Sequence, residues 1–290
     1  MVRDDKTDGP FFERVHDRRQ ALFSDARGQV SMIWLLALQL AVGPAQHYEN
    51  AKQDFAQRKF DDAVSEVNTA LHESPNMVPA LVLKARLAMF AHRSEVAKSC
   101  LITAITEDPT SEEAQFFLGL FYYNLNKFKL AMSPLQTAQT LSPKNPLPVF
   151  YLAMTHEAMG DTPQALELYQ QAENLSSEKS PQSAAILVAY GRSLLALGRT
   201  QEGIEKIRRA IEEDPKSREA HYEWAKELDQ EGDFKNAALE AELALTLPEL
   251  SNSDAQIHFL LARLYMKLKQ PDLAKAHLEK FQAAPHTTSR

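Results

Sequence analysis

An all-α solenoid of helix-turn-helix units is the fold that this chain of 290 residues predicts, on three observations. A small residue recurs at Ala51, Ala85, Gly119, Ala153, Gly191, Ala225 and Ala262, with spacings of 34, 34, 34, 38, 34 and 37 residues. A second comb with the same spacings follows twelve residues behind it, at Ala63, Ala97, Ala131, Ala165, Gly203, Ala237 and Ala274. Proline then stands at one fixed place in four units, Pro75, Pro109, Pro143 and Pro215, where it stops a helix before the next unit begins. A period near 34 residues marks units that bury their apolar faces by stacking on their neighbours.

Placing the first comb at position 8 of a 34-residue unit puts the second at position 20 and the proline at position 32. The units are then 44–77, 78–111, 112–145, 146–179, 184–217, 218–251 and 255–288. Positions 4, 7, 8 and 11 share one stripe of a first helix, and positions 20, 24 and 27 share one stripe of a second. Small residues at 8 and 20 let the two helices approach, so leucine at Gly119 or Ala131 is expected to cost about 1 to 3 kcal/mol by overpacking. The third unit shows the pattern most fully, with Leu118, Gly119, Tyr122, Phe128, Ala131, Leu135, Ala138 and Pro143. In the fourth, fifth and sixth, Gly160, Gly198 and Gly232 mark the turn between helices. The insertions Ser180 to Ser183 and Asn252 to Asp254 fall between units, where a longer loop does least damage. The seventh unit departs most, with Pro271 at position 17 and Phe281 at position 27, where alanine is expected.

Ahead of the array, residues 32–43 form the most apolar run of the chain. Twelve residues are too few to span a bilayer, which takes about 20. With Gly43-Pro44-Ala45 behind it, segment 32–45 reads as a candidate signal peptide, so a periplasmic or secreted location is expected if it is one and a cytoplasmic location otherwise. The 31 residues before it are long and neutral, and Arg18-Arg19 lies far from the run. Residues 1–31 are therefore expected to be a disordered extension, with Met32 an alternative start. The array is assigned to 46–284 and a tail to 285–290.

The periodic pattern resembles the tetratricopeptide repeat (TPR) family. That consensus has a large residue at position 4, Leu at 7, Gly or Ala at 8, Tyr at 11, Ala at 20, an aromatic or aliphatic residue at 24, Ala at 27 and Pro at 32. The resemblance covers 44–288. It implies a right-handed α-solenoid of about seven TPR repeats, with the first helices lining a concave face and positions 2, 5, 9 and 12 pointing into it.

Composition narrows the function. The chain is 24% charged and 44% hydrophobic, with a formal charge of −7. Residues 1–43 balance six Lys/Arg against six Asp/Glu, so the array carries the acidity, and a general nucleic-acid binder is not expected. Cys100, the single cysteine, allows no internal disulfide and reads as a packed structural residue. There is no GxxxxGK[ST] loop, no GxGxxG behind a strand and no HExxH. His156 and His221 fall on core stripes and read as packed, hydrogen-bonded residues. An enzyme, a metal site and a cofactor are accordingly not expected.

A groove is expected instead. Position 5 reads Tyr48, Val82, Phe116, Phe150, Val188, Tyr222 and Phe259, and position 9 reads Lys52, Arg86, Leu120, Met154, Arg192, Lys226 and Arg263. One helical turn separates the two positions, so an aromatic row runs beside a basic one. The candidate groove residues are Tyr48, Lys52, Arg86, Phe116, Leu120, Phe150, Met154, Arg192, Tyr222, Lys226 and Arg263. Lys52 and Lys226 each follow a glutamate by three residues and can pair on their own helix. Arg86, Arg192 and Arg263 have no acid three or four residues away. They can meet a ligand carboxylate, or form a ladder between units with Arg86 reaching Glu113 and Arg192 reaching Glu219. No three consecutive units supply a carboxylate clamp for chaperone C-termini. Phe116, Phe117, Leu120, Tyr123, Phe150, Tyr151 and Met154 form an apolar patch that a partner or a neighbouring segment should cover.

The expected function is that of a non-catalytic scaffold or adaptor whose groove binds a segment of another protein, apolar with acidic groups toward one or both ends. Alternatives are an exported component of a bacterial cell-envelope assembly machine and a self-assembling structural protein. Neither nucleic acid nor a small-molecule cofactor is expected as a partner, and a membrane only through an uncleaved N-terminal segment.

Overall fold

The computed structural model describes residues 43–176, 179–248 and 254–284. The expected extension 1–31, the apolar run up to residue 42 and the tail 285–290 lie outside the described residues. Among the described residues there are fourteen helices and no strand. They run α1 Pro44–Ala56, α2 Phe60–Glu73, α3 Val78–Phe90, α4 Ser94–Glu107, α5 Glu112–Asn124, α6 Phe128–Leu141 and α7 Pro146–Ala158. The chain continues through α8 Thr162–Leu175, α9 Pro181–Ala196, α10 Thr200–Glu213, α11 Arg218–Glu231, α12 Phe234–Thr246, α13 Asp254–Lys267 and α14 Pro271–Ala283. Odd-numbered helices are the first of each unit and even-numbered helices the second. Pro44 and Ala45 are the opening residues of α1, so cleavage after Ala45 would remove the start of that helix.

Both small-residue combs sit at the contact between paired helices. Ala51, Ala85, Ala153 and Ala225 are 0% exposed on the first helices, as are Ala63, Ala97, Ala131, Ala165 and Ala237 on the second. In the fifth unit the paired backbones themselves come close. A Cβ placed on Gly191 would stand 2.9 Å from the Gly203 carbonyl oxygen, and one on Gly203 equally close to the Gly191 oxygen. On Gly119 it would meet the Leu135 side chain, 2.5 Å from Cγ, with the Leu135 backbone nitrogen at 3.3 Å.

Every turn between paired helices is built alike. Position 15 has positive φ in all seven units, at Arg58, His92, Asn126, Gly160, Gly198, Gly232 and Lys269, with angles from 54° to 85°. The next residue's N–H returns to the carbonyl of position 11, as in Lys59 to Asp54 at 2.8 Å and Gln270 to Tyr265 at 2.9 Å. This left-handed closure satisfies carbonyls at the helix end. Only three of the seven positions are glycine, which is why sequence alone marked three turns.

Curvature follows from which helices touch. Each helix packs on its chain neighbours, and each first helix also touches the first helix of the next unit. The backbones of successive second helices stay apart, and those helices meet only through long side chains, as Lys206 and Arg209 reach Glu173 and His277 reaches Glu242. The first helices are therefore closer together and form the inner wall, while the second helices fan apart outside. Cys100 is buried in the core of the second unit, where desolvation raises its thiol pKa. His221 is 5% exposed and hydrogen bonded to Glu240 at 2.6 Å and to the Pro215 carbonyl at 3.1 Å. His156 lies 3.0 Å from Asp161.

Candidate functional site: the inner groove

Over α1 to α7 the inner wall is apolar. Phe55, Met89, Phe90, Phe117 and Leu120 line an open groove of about 640 Å³ toward the turn ends of α1, α3 and α5. Phe90 is 64% exposed and rests on Phe60, with ring centroids 4.4 Å apart. The guanidinium of Arg86 lies between two rings, 4.8 Å from the centroids of both Phe55 and Phe117. This sandwich fixes the side chain by cation–π attraction while its edge still faces the groove. Its nearest carboxylate, Glu113, is 3.6 Å away, beyond a good hydrogen bond. Farther along, Tyr123 and Tyr151 meet edge to face at 5.7 Å, and burial raises both hydroxyl pKa values.

Over α9 to α13 the wall is ionic. Arg192 donates to Glu219 at 3.1 Å and lies 3.8 Å from Glu223. Lys226 donates to Glu223 at 2.5 Å. Arg263 and Lys267 both meet Asp229, at 3.1 and 2.5 Å. Glu223, Glu227 and Asp229 are 4%, 5% and 8% exposed, and burial raises the carboxyl pKa of Glu227.

The expected groove residues divide accordingly. Phe116 and Phe150 are buried at 6% and 8%, because the next first helix covers position 5, so they contribute packing and little groove surface. Leu120 and Met154 are half-buried on the inner wall. Tyr48 and Tyr222 are half-buried under Lys52 and Lys226, whose ammonium groups stand 5.3 and 5.6 Å over their rings. Lys52 also donates to Glu49 at 3.0 and 3.1 Å. The five basic residues are thus held by acids or rings of this chain, and Arg86 has the weakest acid contact among them.

The geometry also supplies a rule that sequence reasoning only half recovered. Position 9 faces positions 2 and 6 of the following unit, as Arg192 faces Glu219 and Glu223, and position 12 of the preceding unit, as Arg263 faces Asp229. For Arg86 the corresponding residues are Glu113, Phe117 and Phe55. The position 2 partners were visible in the sequence; the Asp229 pairing and the phenylalanine sandwich were not. Among the described residues no cluster of three metal-ligating side chains occurs, and no helix is long and apolar enough to cross a membrane.

Solved structures with this architecture are numerous. PilF of Pseudomonas aeruginosa superposes with a TM-score of 0.62 at 17% identity, covering 72% of this chain and 93% of that one. The Cut9–Hcn1 hetero-tetramer of the APC/C gives a TM-score of 0.68 at 18% identity over 82% of this chain, which spans 46% of that one. PilW, described as a type IV pilus biogenesis factor, gives a TM-score of 0.60 at 15% identity, covering 73% of this chain and 95% of that one. At these identities the likeness is one of fold. A search of the curated proteins returned no match. Tetratricopeptide repeat profiles match residues 82–146, 152–218 and 255–283, together more than half of the chain. With seven closed helix pairs and a shared inner wall, the chain belongs to the tetratricopeptide repeat family.

Proposed function

We propose that this protein is a non-catalytic interaction scaffold, and that its groove binds a segment of another protein chiefly along α1 to α7. The observation that carries this is the state of Arg86: held flat between Phe55 and Phe117, it keeps hydrogen-bonding capacity toward an open apolar groove. The segment is accordingly apolar, with an acidic group at the Arg86 end. A micromolar complex takes about 8 kcal/mol. One charge-assisted contact at roughly 1.5 to 3 kcal/mol leaves most of that to apolar burial. Arg192 and Arg263 are lesser candidates, because a ligand carboxylate would compete with acids already beside them.

A photo-crosslinking residue at Phe90, facing the groove, tests the assignment against one at Ile102, which is 46% exposed on the outer helix α4. Capture from position 90 that is lost with Arg86→Glu is the expected result. Equal capture from position 102 would sink the groove assignment. A second reading, an exported component of an envelope assembly machine, rests on the apolar run 32–43. N-terminal sequencing of the mature protein checks it: an intact Met1 rules it out, and a start near Gln46 supports it.

A further inference from the structure

One end of the array exposes residues of a kind that the rest of the molecule buries. Position 24 is 0% exposed in six units, at Val67, Leu101, Leu135, Tyr169, Ile207 and Ala241, but Leu278 in the seventh is 40% exposed. Position 5 changes in the same sense, from Val82, Phe116, Phe150 and Val188 at 8% or less, and Tyr48 and Tyr222 half-buried, to Phe259 at 45%. In the earlier units the first helix of the next unit provides cover. Beyond α14 no described residue does so. Phe259, Leu278, Pro271 and Met266, the last 64% exposed, bound a depression of about 340 Å³. Its polar rim is Arg263, which also meets Asp229 at 3.1 Å, and Lys275, whose nearest carboxylate is Glu279 at 3.9 Å. Residues 254–284 hold five Lys/Arg against three Asp/Glu in a chain of charge −7.

The chemistry of the seat discriminates among occupants. Position 27 is a fully buried alanine in six units, whereas Phe281 leans on Phe259 with centroids 5.2 Å apart. That ring takes the space an eighth repeat of the same geometry would use, and so displaces the seat toward Met266 and Lys275. A second copy stacked head to tail would bring the exposed side of α1, with Gln46, Glu49 and Gln53, where Glu49 is already paired with Lys52. Tail-to-tail contact would oppose two basic rims. The run 32–43 carries no charge, and residues 285–290 carry no large apolar side chain beyond Pro285.

We propose that the α13–α14 end is a second docking site, apart from the α1–α7 stretch of the groove, for an acidic amphipathic helix of a different protein. The probe is a stapled helix about four turns long, with leucines on one face and glutamates elsewhere, against a twin with lysines in place of the glutamates. Binding to the full chain is read by fluorescence anisotropy, with melting curves as the folding control. The acidic helix is expected to bind at least about tenfold more tightly than its twin, and Leu278→Glu and Lys275→Glu should each weaken it while Arg86→Glu leaves it unchanged. Equal binding of the two helices, no binding of either, or loss only with Arg86→Glu overturns the proposal. Sedimentation showing concentration-dependent self-association that Leu278→Glu abolishes would also overturn it, by assigning the face to a second copy.

Discussion

The two halves of the inner wall solve the same packing problem with different chemistry. From α1 to α7 neighbouring first helices meet through rings and aliphatic side chains; Arg86 is stacked between phenylalanines there, and Lys52 pairs with Glu49 on its own helix. From α9 to α13 they meet through ion pairs reaching buried carboxylates on α11. An apolar wall leaves surface that a partner can still desolvate, whereas a ladder commits its charges to holding units in register. On the proposed reading the aromatic half serves binding, and the ionic half serves rigidity.

The largest expected effect separates the halves by helix spacing. Gly191→Leu should cost about 3 kcal/mol, because its side chain meets the Gly203 backbone; Gly119→Leu should cost less, because its nearest contacts are side-chain atoms of Leu135 and the backbone there is 3.3 Å away. Urea melting of both variants checks this, and equal losses would erase the distinction. Next come the acids. Asp229→Ala should cost about 1.5 to 3 kcal/mol, since it strips charge-assisted bonds from Arg263 and Lys267 around a buried carboxylate. Glu113→Ala, at a 3.6 Å contact between partly exposed groups, should cost under about half a kcal/mol. Comparable values for the two would mean that the wall is uniform.

Smaller effects refine the comparison. Arg58→Gly and His92→Gly in the aromatic half, and Lys269→Gly in the last unit, should each gain up to about 1 kcal/mol by relieving a left-handed backbone. Thermal melts that fall on all three would count against the turn assignment. The smallest effect is a dependence on pH in the last unit. His47 and His221 each face a glutamate across their helix pair, at 2.6 Å, but His258 faces His277, Nδ1 to Nδ1 at 3.0 Å. Burial foremost, then His277 and Lys280, lowers the His258 pKa, against the opposite pull of Asp254 and Glu242. Burial also lowers that of His277, with Lys280 adding to it, and Glu242, which Tyr265 also contacts, acts the other way. A depressed folded-state pKa gives stability that is complete above the ordinary histidine value near 6.5 and is lost as pH falls through the lowered one. Hydrogen-exchange protection in α13 and α14, taken relative to the intrinsic rate at each pH, should therefore weaken as pH falls below about 6.5, and His277→Glu should lessen that change.

The repeat was legible because close helix approach tolerates only small residues, and that constraint writes itself into the chain at Ala51 or Gly191 as a spacing. The turns were legible only at Gly160, Gly198 and Gly232, since Arg58 or Lys269 can be held at positive φ by the hydrogen bonds around it without leaving a compositional mark. Within the groove, the lysine pairs with Glu49 and Glu223 could be read along one helix. Asp229 with Arg263, and Phe55 with Arg86 and Phe117, are meetings between helices of different units, and their geometry is set by how far the superhelix turns at each step. Position 5 misled for the same reason: Phe116 and Phe150 face the neighbouring helix because the array curves tightly enough to cover them.

The central claim is that the aromatic half of the groove, anchored at Arg86, holds the partner. Its most direct test is the affinity of the crosslink-identified segment for the wild-type chain and for Arg86→Glu combined with Leu120→Glu, at unchanged melting temperature. A loss of about a hundredfold is the predicted result, and undiminished affinity would contradict the account.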